Sequence, residues 1–544
     1  MSSAHGSRVT LATRMAAVSE QETRPARRTR SLEAVLVGLV LALAAFLRFE
    51  TLGQRPLWLD ERWTQQVVSN SHDALDVWRV GRLDHAQHPP LAYLAAYLAD
   101  PSGASAPRLR LPSALAGVAS VALLIGVGRA LSGSAVGLMA GFLMAISVYH
   151  IDSSQDARPY MLAVAFTIGQ YASLFSYLQT RRPSRLAALV GCSVGALYTY
   201  HLALLHAAIG LALAGAWIAA ELRRAGPDAT GPSQRWRRWR ALAAAYAGIA
   251  VAYLPQLPNL RRFAAAGGTA PNHVLDPSLR FLHELVSRWG SDAAAPLYEG
   301  LFVVGVACVM ARRRLLEWGL LPWAAAPLAL FSLVPFSKYF DMRFLISGLP
   351  AFFLLVAVGS EALARGCARA AAGLLRERGA AAWAHGAALA LVAAAFAHAA
   401  AGVYAAFRAT DVRCGEFVVR PELLDADGGF CARHLVLNTA NPDQQFIVRS
   451  TQRAELALDP SAFAAFVGVY EFPGGDAIWI TQEGDRLLAQ VPGRFKYELA
   501  PVAADEFVYR TIRKRILFVR DVRGEVTALQ LGYEGSQASA RKIR

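Results

Sequence analysis

The chain has 544 residues, 55% of them hydrophobic and only 17% charged, and its mean hydropathy is +0.31. A soluble domain carries about 25% charged residues, so a water-soluble class is excluded, while apolar runs of roughly 18 or more residues recur, each able to cross a ~30 Å hydrocarbon core as a helix. The net charge of +15 does not indicate nucleic acid, because the basic residues form short clusters between apolar segments, where topology determinants belong.

Residues 1–32 are polar, with Arg24, Arg27, Arg28 and Arg30 near their end, and read as a cytoplasmic tail. Ser31 to Leu47 is the first span, an uncleaved anchor, since no clear small-residue cleavage site follows it. Ten further spans are predicted at 111–130, 134–149, 159–178, 186–200, 202–220, 241–256, 297–311, 318–335, 344–363 and 383–405. Gly133, Gly137 and Gly141 in the third have the four-residue spacing that lets helices approach closely. Splitting 186–220 into two short spans keeps the sign pattern; one long span would reverse every later loop. With an odd count, the clusters around Arg181–Arg185, Arg223–Arg240, Arg312–Arg314 and Arg365–Arg378 all face the cytoplasm.

That topology puts Asp60 and Glu61, the loop 150–158, the loop 257–296 and the segment 336–343 on one extracytoplasmic face. Within 257–296, Leu279, Leu282, Leu285, Val286 and Trp289 have helical spacing, predicting an interfacial helix. Beyond about 405 the composition turns to alternating β-formers. Strands are predicted at Ala477–Thr481, Leu487–Val491, Phe507–Tyr509, Ile516–Val519 and Val526–Leu531, separated by Gly-containing turns. They make a small antiparallel β domain outside the membrane.

Several residues could carry chemistry. Asp60-Glu61 follows the first span in a loop with Trp58, Trp63 and Trp78; a carboxylate there can act as a general base, or the pair can be a solvated loop feature. His85 and His88, near Asp84, could bind a metal or shuttle a proton, or could pack near Pro89-Pro90, which mark entry to an interfacial helix. Asp156 and Arg158 stand at the mouth of the fourth span beside Tyr160. Arginine suits phosphate through its planar fork; a snorkelling ion pair is the alternative. Lys338, Tyr339 and Arg343 stand at the outer end of the tenth span, where topology alone would not place two cations; an anionic ligand is one reading and simple snorkelling the alternative. Cys192, Cys308 and Cys367 read as apolar fillers, and no zinc spacing appears.

In order and spacing, Leu57-Trp58-Leu59-Asp60-Glu61, His88-Pro89-Pro90-Leu91, Gln155-Asp156-Ala157-Arg158-Pro159-Tyr160, Tyr198-Thr199-Tyr200-His201 and Arg343-Phe344-Leu345 resemble the GT-C glycosyltransferases, specifically bacterial relatives of the protein O-mannosyltransferase and aminoarabinose transferase group. The resemblance spans residues 33–405. It implies a polyprenyl-phosphate-linked sugar as donor, catalysis on the extracytoplasmic side, Asp60 as the catalytic carboxylate supported by Glu61, Asp156 as a second acidic site residue, and Arg158 and Arg343, with Lys338, at the donor phosphate. His85, His88, Tyr160, His201 and Tyr339 become candidate substrate or metal contacts, and a divalent metal is neither required nor excluded. Asp156 stands where the family commonly has Glu, and Phe344 where it commonly has Tyr. Residues 460–544 resemble a small lipocalin-like β domain appended to β-lactamase-like proteins, after a linker at 406–459. Cys414 and Cys431, outside the membrane, could pair.

The sequence therefore predicts a polytopic α-helical protein of about eleven spans with a C-terminal extracytoplasmic β-barrel-like domain. It sits in a bacterial inner membrane with its N-terminus cytoplasmic. The expected activity is inverting transfer of a hexosyl or pentosyl unit from polyprenyl phosphate to an extracytoplasmic acceptor. The rivals are a transporter or lipid flippase, whose ionisable residues would lie nearer the bilayer midplane, and a non-catalytic sensor.

Overall fold

The structure is a computed structural model that describes residues 31–54, 57, 59–83, 88–224, 232–265, 275, 277–334, 342–375, 379–409, 412–414, 417–419, 456, 458–473, 477–490, 496–509, 515–533 and 536–543. After α1 (Ser31–Phe49) come three short helices, α2 (Leu59–Ser69), α3 (Ala74–Leu83) and α4 (Leu91–Ala99). The bundle continues with α5 (Ala106–Ser132), α6 (Ser134–Ile146), α7 (Val148–Ser154), α8 (Tyr160–Thr180), α9 (Pro183–Leu197), α10 (Ala203–Arg224) and α11 (Pro232–Tyr253). It closes with α12 (Leu257–Ala265), α13 (Leu279–Trp289), α14 (Ala295–Arg312), α15 (Leu315–Trp318), α16 (Leu320–Leu333), α17 (Leu349–Leu375) and α18 (Ala380–Ala409).

Among the described residues, 9 helices are long and apolar enough to cross a membrane, and the bent pair α6–α7 would make 10. The fifteen-residue α9 is the remaining predicted span, and the region 186–220 does divide into two helices, joined around His201. The third predicted span is not one rod. It bends by 65° between Ile146 and Val148. Ser147 takes an extended conformation there, accepts from His150 N as the cap of α7, and donates to the Trp289 carbonyl at 2.7 Å. The predicted loop 150–158 is consequently half helix. Pro89-Pro90 do open a helix, α4, and α13 is capped by Ser278.

Glycines set the closest helix crossings. Gly137 of α6 lies against α5, where a Cβ would meet the Arg129 backbone nitrogen at 2.8 Å. Gly133, by contrast, has φ +104° and breaks the chain between α5 and α6. In α14 and α17, a Cβ on Gly305 would collide with the Leu355 carbonyl and one on Gly359 with the Leu301 carbonyl. Backbone cannot yield as a flexible side chain can, so Gly359→Ala is expected to destabilise the bundle by about 1–3 kcal/mol, read as a lowered midpoint of thermal unfolding in detergent.

The C-terminal strands β3 (Gly468–Glu471), β4 (Ala477–Glu483), β5 (Arg486–Gln490), β6 (Lys496–Ala503), β7 (Glu506–Tyr509), β8 (Arg515–Arg520), β9 (Val526–Tyr533) and β10 (Ser536–Lys542) follow a small hairpin of β1 (Val412–Cys414) and β2 (Phe417–Val419). β3 to β10 pair in chain order, and β10 returns to β3, closing an antiparallel barrel of 8 strands. Closure leaves no open sheet edge. The interior is packed with Phe466, Tyr470, Leu487, Phe507, Phe518 and Leu529, and Phe463 enters from the short helical turn Pro460–Ala465. That filling is what an eight-stranded barrel can hold as its own core. The lipocalin likeness thus extends to strand number and closure. Phe507→Ala is expected to cost about 3–5 kcal/mol of barrel stability, measurable by loss of its cooperative melt. Cys431 lies outside the described residues.

Candidate active site

The site is assembled where α2, α4, the turn between α7 and α8, and the start of α17 meet. Glu61, in the first turn of α2, is 1% exposed and Arg110 of α5 is 4% exposed. Arg110 donates through Nε to Glu61 Oε1 at 2.7 Å and through Nη2 to Oε2 at 2.6 Å, while its Nη1 reaches the Leu52 carbonyl at 3.0 Å. Glu61 Oε1 also accepts from the backbone N of Ala157 at 2.8 Å. This one carboxylate therefore fixes α2 to α5 and holds the residue between Asp156 and Arg158. Two buried charges are tolerated because each is matched by a fork-to-fork hydrogen-bonded partner.

Asp60 is placed differently. Its side chain is 20% exposed, and Arg343, 14% exposed in the helical turn Met342–Gly348 that opens α17, donates from Nη1 to Asp60 Oδ2 at 3.1 Å. Arg158 Nη1 donates to the Asp60 backbone carbonyl at 3.2 Å. Burial works against the Arg158 cation, but the fields of Asp60, Tyr93, Tyr160 and Asp156 outweigh it and hold the guanidinium above its ordinary pKa. It is therefore charged at any physiological pH. Tyr93 of α4 is buried and hydrogen-bonds Arg158. The Arg343 guanidinium also sits 5.5 Å from the centre of the Tyr160 ring, a distance suited to cation–π attraction. Arg343 and Arg158 thus both lie against Asp60, and Asp156 acts on Arg158 through its field.

His88, Tyr160 and Tyr200 pack as an aromatic wall, with ring centres 5.7–6.0 Å apart. The wall joins the charged cluster through Tyr160. His201 points elsewhere: its Nδ1 lies 3.0 Å from the Tyr253 hydroxyl of α11. His85, Lys338 and Tyr339 lie outside the described residues. Among the described residues, no three His, Cys, Asp or Glu side chains come together as a metal site.

The structure thus unites Asp60, Asp156, Arg158, Tyr160 and Arg343, residues that span most of the helical bundle in sequence. Glu61, expected to support Asp60, is paired with the buried Arg110. Two participants escaped the sequence reading. Arg110 carried a signal, being a cation at the outer end of the second span, where topology does not call for one. Tyr93 carried none, since an aromatic in a short apolar helix looks like core.

Residues 85–225 match the family model described as "Dolichyl-phosphate-mannose-protein mannosyltransferase". That segment is about a quarter of the chain and contains His88, Tyr93, Arg110, Asp156, Arg158, Tyr160 and the Tyr198–His201 run. The resemblance to membrane glycosyltransferases of this group is thus shared by the part of the chain that carries most of the site. Among solved structures, the chain is similar to ArnT from Cupriavidus metallidurans in the apo state, at 17% identity over 68% of this chain and 75% of that one, with a TM-score of 0.45. A structure of the same protein bound to undecaprenyl phosphate matches with a TM-score of 0.44. The archaeal oligosaccharyltransferase AglB from Archaeoglobus fulgidus, in complex with an inhibitory peptide and a dolichol-phosphate, matches at 12% identity over 69% of this chain and 56% of that one, with a TM-score of 0.47. No curated protein sequence matches the chain.

Proposed function

We propose that the chain is a membrane glycosyltransferase that moves a sugar from a polyprenyl-phosphate donor to an acceptor on the extracytoplasmic face. The observation that carries this reading is the Asp60–Arg343 pair at 3.1 Å, partly exposed and backed by Arg158. A carboxylate held beside two arginines, at the opposite helix ends from the cytoplasmic arginine clusters, offers a base and a phosphate clamp side by side. The family match over 85–225 supports the same class of donor.

In this mechanism the donor phosphate arrives at Arg343 and Arg158, and Arg343 is shared between the phosphate and Asp60. Asp60 Oδ takes the proton of the acceptor O–H or N–H as that atom bonds to the anomeric carbon from the face opposite the leaving group. The anomeric C–O bond breaks, its electron pair stays on the polyprenyl phosphate, and the configuration inverts. Negative charge on the phosphate grows during this step, so fixed guanidinium groups stabilise the transition state more than the bound donor. Asp156 and Tyr93 hold Arg158, and Glu61 holds the turn that bears them.

The experiment is release of undecaprenyl phosphate from a panel of undecaprenyl-phosphate-linked hexoses and pentoses. The purified protein is placed in nanodiscs with envelope membranes from cells lacking it as acceptor source. Turnover of at least one donor is expected. A protein that turns over none of them and instead moves a solute across proteoliposomes is a transporter.

A further inference from the structure

Behind the turn that bears Asp156 and Arg158, two helix ends cap each other. The bend after α6 strips carbonyls of their helical partners, and these need donors inside a membrane. Arg48, fully buried near the end of α1, supplies them: Nη1 reaches the Ala145 carbonyl at 3.1 Å and Nη2 the Met144 carbonyl at 3.0 Å. In return, Gln155 Nε2, just beyond α7, lies 3.2 Å and 3.3 Å from the Leu47 and Arg48 carbonyls that end α1. The Thr51 hydroxyl is 2.7 Å from the same Nε2. Gly117 of α5 leaves room for this junction, since a Cβ there would collide with Ser154 Oγ and lie 3.1 Å from Arg48 Nε.

A third helix is tied to the junction. Near the end of α18, the Tyr404 hydroxyl donates to Glu50 Oε2 at 3.0 Å and Arg408 Nη2 contacts Glu50 Oε1 at 2.9 Å. Tyr404 also hydrogen-bonds Thr51. Phe407 is buried with Val148 and Ile151 of α7, and Leu47, Val403 and Tyr404 pack around them. The route from α18 to the turn is then short and continuous: Tyr404 and Arg408, Glu50 and Thr51, Gln155, and the adjoining Asp156–Arg158. Among the described residues, α18 is also the last long helix before the β barrel.

We infer that Tyr404 and Arg408 are positioning residues for the 155–158 turn. The end of α18 thereby sets where Asp156 and Arg158 stand. The consequence for turnover rests on the proposed glycosyl transfer; the mechanical link does not.

The test uses the full-length protein in nanodiscs, with Tyr404→Phe, Arg408→Leu, the two combined, and Arg408→Lys as the conservative control. Hydrogen exchange by mass spectrometry reads the link without any assay of activity. Amides of 155–158 are expected to exchange about tenfold faster in the double variant, with α8 and α5 unchanged. Turnover of an undecaprenyl-phosphate-linked sugar should fall about tenfold in kcat, with most of it recovered by Arg408→Lys. Unchanged exchange at 155–158, or faster exchange throughout the bundle, overturns the link. If the wild type turns over no donor while the local exchange change is present, the proposed function fails and the link stands.

Discussion

On the proposed mechanism, Asp60→Asn is expected to lower kcat for sugar transfer by about 10²–10⁴-fold, the range for removal of a positioned general base. The substitution keeps the shape of the side chain and an oxygen for Arg343, 3.1 Å away in the native protein, but it removes the charge and the capacity to take a proton. Arg343, no longer paired with the Asp60 carboxylate, keeps its positive charge toward phosphate. Affinity for undecaprenyl phosphate, measured by titration against the protein in nanodiscs, should therefore be unchanged or higher. The opposite split is expected for Arg343→Ala, which removes a cation from the phosphate and leaves Asp60 in place: weaker undecaprenyl phosphate binding together with a lower kcat. A pair of variants that both lose binding to the same degree would show Asp60 to be a donor-binding residue only.

Glu61→Gln is expected to cost the helical bundle about 3–5 kcal/mol of stability. It removes the carboxylate that pairs with Arg110, which is 4% exposed. It also replaces a carboxylate that accepts from Arg110 and from the Ala157 backbone N. Removing both charges with Glu61→Leu and Arg110→Met should recover a substantial part of the lost stability, because two apolar groups of similar volume carry no desolvation cost. The double variant should still be poorly active, since Ala157 then has no acceptor and the turn bearing Asp156 and Arg158 is no longer pinned. A midpoint of unfolding in Glu61→Gln equal to wild type would place the pair outside the framework of the fold.

The helical bundle was legible in the sequence because length and apolarity decide it: each predicted span meets a helix, while the bend at Ser147 and the short helices α2, α3 and α12 were missed. A bend is set by a serine that finds a distant carbonyl, here that of Trp289, and nothing local in the sequence encodes such a partner. The strands show the same divide. β4, β5, β7, β8 and β9 were predicted from their apolar alternation. β6 contains Pro501, and β10, Ser536–Lys542, is nearly all polar or small, so neither has the pattern of a half-buried strand. They are strands because barrel closure gives their backbones partners.

At the site, Asp60, Asp156, Arg158 and Arg343 were legible as charged residues at the ends of apolar segments on one predicted face. Their convergence was not, because it depends on how the helices pack. Nor was the division of labour between adjacent carboxylates. On α2, Asp60 and Glu61 point about 100° apart, so one meets Arg343 while the other meets Arg110 in the interior. The Arg48–Gln155 junction could be seen only once α1 and the bent α6–α7 pair were side by side.

The most direct test of the account is the rate of undecaprenyl phosphate release from its sugar-linked form by wild type and Asp60→Asn, each in nanodiscs with acceptor membranes, alongside binding of undecaprenyl phosphate to both. The account predicts turnover by the wild type, a loss of about a hundredfold or more in the variant, and donor-phosphate binding retained. Equal turnover by the two proteins would contradict it.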